Sequence, residues 1–67
     1  MKEFAQRIKE LRLEHNLSLK QLGNILGVSD IAISRWENLK RVPNIITLVQ
    51  IAKYFNVTTD YLLGLED

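Results

Sequence analysis

Between Ser18 and Asn38 the chain reads SLKQLGNILGVSDIAISRWEN, two short amphipathic runs that meet at Gly27 and each open on a serine. Ser18, with Gln21 three residues on, has the form of a capping box, and Leu17 and Leu22 on either side of the cap supply a hydrophobic staple. Leu22, Ile25 and Leu26 then share one helical face, and Gly27 allows the positive backbone angle that leaves a helix. Ser29 opens the second run, where Val28 and Ile33 repeat the staple. Two helices joined by a turn of about three residues follow, and so short a turn fixes how they cross.

The second run has two distinct sides. Ile33 and Trp36, spaced i,i+3, anchor it inward, while Ile31, Ser34, Arg35 and Asn38 point broadly the other way. Ser34, Arg35 and Asn38 would be ordinary on any solvated face. Ile31 would not, because an apolar residue in the middle of an outward row needs a contact; a thymine methyl would serve, and so would a protein surface.

The flanking segments complete a helical chain. Phe4, Ile8 and Leu11, flanked by Ala5 and Leu13, predict a first helix from residue 2 to about 14, with Lys2, Gln6, Arg7, Lys9 and Glu10 on its other faces. His15 and Asn16 end that periodicity, and His15 reads as a helix-terminal surface or capping residue. The segment LKRVP is a linker in which Lys40 and Arg41 stand side by side, placed to meet phosphate directly after the outward helix. Pro43 suits the start of the next helix or the turn before it. From Asn44 to Asn56 a fourth helix carries a stripe of Ile45, Leu48, Ala52 and Phe55, widened by Ile46, Val49 and Ile51, which predicts a central helix packed on several neighbours. A short fifth helix runs from a Thr58 cap through Asp60, Tyr61 and Leu62 to Gly64. Leu62, Leu63 and Leu65 exceed what one turn can hide, so some complete the core and the rest face a dimer partner or a downstream domain. Gly23, inside the second helix, is explained by a close crossing of the third.

Size and charge narrow the functions open to this chain. Its 67 residues make one small all-α domain, residues 1–67, with a thin core. There is no cysteine for a disulfide and a single histidine without cysteine partners, so no metal site is expected, and neither a cofactor nor an enzymatic activity is expected of this chain. No signal peptide or membrane-spanning run is present, so a cytoplasmic protein with no membrane partner is expected. All nine lysines and arginines precede residue 60, against five acidic residues, whereas Asp60, Glu66 and Asp67 close the chain without a base. The body is thus modestly basic, as a phosphate partner requires, and the acidic tail must face away.

Ser18 to Asn38, together with Pro43 and the closing FNVTTDYLLG, resemble the DNA-binding domain of the phage lambda and 434 repressor and Cro family of helix-turn-helix regulators, from Ile8 to Gly64. The resemblance implies a compact five-helix fold, the second and third helices forming the motif and the third entering the major groove of double-stranded DNA, with members binding as homodimers. It places Asp30, Ile31 and Arg35 at base-reading positions, and Ser34, in the same outward row, is expected to join them. It places Arg12, Ser29, Asn38, Lys40 and Arg41 near the DNA backbone, where Ser18 is expected as well, and implies that Arg12 is bridged to Glu37. Four departures stand out: Leu19 where many relatives carry glutamine, Gly23 for alanine, Leu39 for glycine, and Asp30, whose charge repels phosphate unless it accepts from a cytosine amino group or an internal partner. The function expected is transcriptional regulation, most simply repression at an inverted-repeat operator. The alternatives are a protein-interaction module on the same fold, or the DNA-binding part of a longer regulator.

Overall fold

Five helices account for most of residues 2–67, which the computed structural model describes: α1 (Lys2–Glu14), α2 (Leu19–Leu26), α3 (Asp30–Glu37), α4 (Ile45–Phe55) and α5 (Thr59–Leu62). Their starts are fixed locally. Ser18, Ser29, Asn44 and Thr58 each accept the N–H three residues on, at 2.8–3.0 Å, which satisfies a donor that no helical carbonyl can reach. At Ser18 the box is complete, since the Gln21 side chain accepts from the Ser18 N–H at 2.8 Å.

The ends are equally regular. Each helix closes through a residue with positive φ, in order Asn16, Gly27, Leu39, Asn56 and Gly64. Across each of them the next N–H returns to a carbonyl five residues back: Leu17 to Arg12, Val28 to Gly23, Lys40 to Arg35, Val57 to Ala52 and Leu65 to Asp60, at 2.8–3.0 Å. This closure satisfies carbonyls that the helix leaves open.

The core lies where α1, α2 and α3 meet the second half of α4 and α5. Phe4, Ile8, Leu22, Ile33, Ile51 and Leu62 are fully buried, and the Phe4 ring meets Trp36 edge to face at 6.4 Å. Gly23 permits the tight α2–α3 unit, because a Cβ there would sit 2.6 Å from the Val28 carbonyl oxygen. Arg7 fastens the other end of the molecule. Its guanidinium stacks 4.3 Å from the Tyr61 ring centre and donates to the backbone carbonyls of Tyr61 and Glu66. Thr58 donates to the Glu66 carboxylate, and Gly64 lies so close to Glu3 that a Cβ would fall within 2.7 Å of its side chain.

Two expectations are corrected. Helix α4 is not a central helix: Ile51, Ala52 and Phe55 are buried, but Ile45 and Ile46 are 77% and 68% exposed and Val49 is exposed too. The stripe is genuine, but no helix among the described residues covers its first turn. Ile25 and Leu13, read as part of apolar stripes, also face solvent, since each lies at the margin of a stripe whose centre already fills the contact. Of the closing leucines, Leu62 completes the core, Leu63 is half-buried and Leu65 is exposed. His15 lies just past α1, where its Nδ1 is 2.9 Å from the Leu11 carbonyl oxygen and its ring rests edge-on against Phe55.

Candidate functional site

Helix α3 is held as a rigid platform. Ile33 and Trp36 bind its inner side to the core, Ser29 caps its start, and Asn38 steadies its end by donating from Nδ2 to the Ser34 carbonyl at 2.7 Å and to the Ser34 hydroxyl at 3.3 Å. What remains outward is Asp30, Ile31 and Arg35, with Ser34 half-buried beside them. Ile31 is 59% exposed, the unexplained apolar residue of the outward row.

After Asn38 the chain turns back under Leu39, and the stretch from Arg41 to Asn44 runs alongside α3. Between them lies an open groove of about 470 Å³, whose walls include Ser29, Ile31, Arg35, Arg41 and Asn44. The structure thus brings four of the predicted residues, Ser29, Ile31, Arg35 and Arg41, around one concavity from two segments. Two guanidinium groups border it, with an apolar side chain between the elements, a combination suited to a ligand that is both anionic and partly apolar. Asn44 was readable as a cap, but its place on this groove depends on how the linker folds, which no local pattern encodes.

The remaining predicted residues sit around this centre in different states. Lys40 is exposed next to Arg41. Ser18 lies at the exposed start of α2; like Ser29 it uses its oxygen as a cap and keeps its O–H for a partner. Asp30 is exposed in the first turn of α3, where the helix dipole favours it. Among the described residues it has no ion-pair partner, so the internal partner considered from the sequence is not found.

Arg12 differs from all of these. It is buried; its Nε donates to Glu37 Oε2 at 2.7 Å, one terminal nitrogen to Glu37 Oε1 at 3.1 Å and the other to the Leu17 carbonyl at 2.9 Å. The bridge to Glu37 is therefore present. It commits three of the five N–H donors that a guanidinium carries, so Arg12 is not the free backbone contact that the exposed cations are. The hydrogen bond to Glu37 holds its pKa above the ordinary arginine value; burial opposes that rise and the Glu37 charge adds to it. The pair ties the end of α1 to the end of α3, and so sets the tilt of the outward row.

A family model described as helix-turn-helix matches residues 8–62 of the chain. The transcriptional activator BcrR of Enterococcus faecalis is 45% identical over 65 residues, which cover 97% of this chain and 32% of that protein. Repressor protein C2 of Salmonella phage P22 is 36% identical over 60 residues, 90% of this chain and 28% of the relative. The chain thus spans about a third of the length of these two relatives. In three dimensions the crystal structure of the P22 c2 repressor in complex with a synthetic operator is similar, with a TM-score of 0.83 and 34% identity over 88% of this chain and 89% of that one.

Proposed function

Because the chain belongs to the helix-turn-helix family, we propose that it binds double-stranded DNA sequence-specifically and regulates transcription, laying α3 in the major groove as lambda-type repressors do. The observation that carries this reading is the exposure of Ile31 on a helix otherwise anchored inward, bordered by Arg35 and Arg41. Ile31 meets a thymine methyl and Arg35 bonds guanine or the adjoining phosphate. Ser34 and Asp30 contact neighbouring base edges, with the Asp30 carboxylate accepting from a cytosine amino group. Lys40 and Arg41 hold the backbone from the linker, assisted by Ser18, Ser29 and Asn38. Arg12, with two N–H groups uncommitted, acts first as a positioning residue for α3 and second as a backbone contact.

Two copies bind an inverted repeat, their α3 helices about 34 Å apart, one turn of DNA. Repression by occupancy needs no surface beyond this face, and the operator-bound P22 repressor is the structural neighbour that favours it. The activator relative from Enterococcus faecalis makes the sign of regulation a matter for the reporter arm of the test. The protein works in the cytoplasm, where its DNA is; no helix among the described residues is long and apolar enough to cross a membrane.

Selection from a random double-stranded pool tests the reading, followed by titration of the selected duplex and a scrambled control at two salt concentrations, with a promoter reporter carrying the selected site. An inverted repeat with a large specificity ratio is expected. Arg35→Ala should relax preference at one position of each half-site, at a loss of about 1–3 kcal/mol; unchanged preference and affinity would remove Arg35 from the base-reading set. Ile31 would serve a protein surface equally well, and failure to select any sequence, together with a stable complex with another protein, would transfer the face to that role.

A further inference from the structure

Ser34 is set apart from the other outward residues of α3 by what holds it. From one turn further along, Asn38 reaches back with its Nδ2, 2.7 Å from the Ser34 carbonyl oxygen and 3.3 Å from the Ser34 hydroxyl oxygen. The first contact fixes the orientation of the amide. A backbone carbonyl only accepts, so the Asn38 atom that meets it is the nitrogen and not Oδ1. The second contact then has one direction as well. An amide nitrogen donates and does not accept, so the Ser34 oxygen is the acceptor and its own hydrogen must point elsewhere. A serine hydroxyl with no neighbour turns to donate or to accept as its partner requires. At Ser34, as at the cap Ser29, the oxygen is already taken up as an acceptor and the O–H is kept for a partner.

We propose that Asn38 is a positioning residue that makes Ser34 a hydrogen-bond donor toward the base it faces, so that each half-site disfavours cytosine at that position. The inference rests on the DNA-binding reading above and goes beyond the backbone contact proposed there for Asn38. In the major groove guanine O6 and N7, adenine N7 and thymine O4 accept, whereas cytosine offers only its N4 amino hydrogens. A hydroxyl obliged to donate meets a second donor there. Ser34 is half-buried on α3, and with DNA laid against it the hydroxyl has no water to turn to, so the mismatch costs the whole hydrogen bond. Arg35 beside it also only donates, and the Asp30 carboxylate in the first turn only accepts. The face of α3 is thus polarised along its length, with an acceptor at its start and donors in its second turn. Serine by itself leaves this polarity open; a residue four positions on decides it.

The test is selection from the random duplex pool with wild type, Ser34→Ala, Asn38→Ala, Asn38→Asp, and Ser34→Ala combined with Asn38→Ala, each first shown to be folded by circular dichroism. Duplexes carrying each of the four bases at the position where Ser34→Ala alters the preference are then titrated. Wild type should bind the cytosine duplex about fivefold to tenfold more weakly than the best of the other three. Ser34→Ala and Asn38→Ala should each remove most of that difference and leave the preference at the position read by Arg35 as it was. Adding Asn38→Ala to Ser34→Ala should change it no further, because the two act as one unit. Asn38→Asp has no N–H to give and accepts from the Ser34 O–H, which leaves only lone pairs facing the base. Its preference should turn toward cytosine and adenine, the bases with an amino group, whatever the added charge does to all sequences alike. Ser34→Ala altering no position, or Asn38→Ala and Asn38→Asp keeping the wild-type discrimination, would overturn the inference while leaving DNA binding intact. Failure to select any duplex would sink the DNA reading, and this inference with it.

Discussion

Leu39 performs a task for which leucine is poorly suited. Its φ of +64° is the angle at which a Cβ crowds the following carbonyl, at a cost of about 1–2 kcal/mol. The other helices assign that position to asparagine or glycine. The bond from the Lys40 N–H to the Arg35 carbonyl keeps the angle, and Leu39 is 58% exposed, so its side chain returns little in packing. Leu39→Gly should therefore stabilise the fold by about 1 kcal/mol, less the entropy that glycine gains when unfolded, read as a higher urea midpoint with an unchanged slope. The departure from glycine is visible in the sequence, but the retained angle is not. Arg12 and Glu37, whose side chains are 10% and 6% exposed, are a second residue-scale case. Arg12→Met or Glu37→Gln alone should each cost about 3 kcal/mol, because the partner is left buried and unpaired, whereas Arg12→Met with Glu37→Met should cost less than either; thermal unfolding of the three variants checks this. The two residues are 25 apart, and only the family resemblance could join them on the page.

At the scale of elements, what is local was readable and what depends on neighbours was not. The caps at Ser18, Ser29, Asn44 and Thr58 and the glycine ends at Gly27 and Gly64 follow from contacts within a few residues. They could be placed without knowing the fold. The stripe on α4 was equally visible, but periodicity says which face is apolar, never how much of its length another helix will cover. Ile45 and Ile46 thus continue the apolar stripe past the point where the core ends. The role of Arg7 is not encoded locally for a related reason, since its partners are backbone carbonyls 54 and 59 residues away and any sequence supplies carbonyls. The α2–α3 unit gives the prediction that belongs here. Gly23→Ala improves helix propensity by about 1 kcal/mol, yet the new methyl would have to displace the Val28 carbonyl, which is backbone. We expect a net loss of about 2 kcal/mol in urea unfolding, with shifted amide resonances from Val28 to Asp30 and little change in α5.

For the molecule as a whole, the candidate site was legible in outline. The outward row of α3 and the basic linker could be named from the sequence, whereas the groove that joins Ile31 and Arg35 to Arg41 exists only once the linker has folded back. The distribution of charge gives the corresponding prediction. Lys40→Ala and Arg41→Ala should weaken all DNA sequences alike, each lowering the slope of log affinity against log salt by about 1, measured by titration across a salt series. The fastening of Arg7 to the Tyr61 and Glu66 carbonyls has a mechanical meaning as well. Tension applied at the two ends of the domain would pass directly from α1 into the closing segment, and the motif between them would carry no load until that clasp had opened. A pull on the chain would thus be shunted around the helices that read DNA.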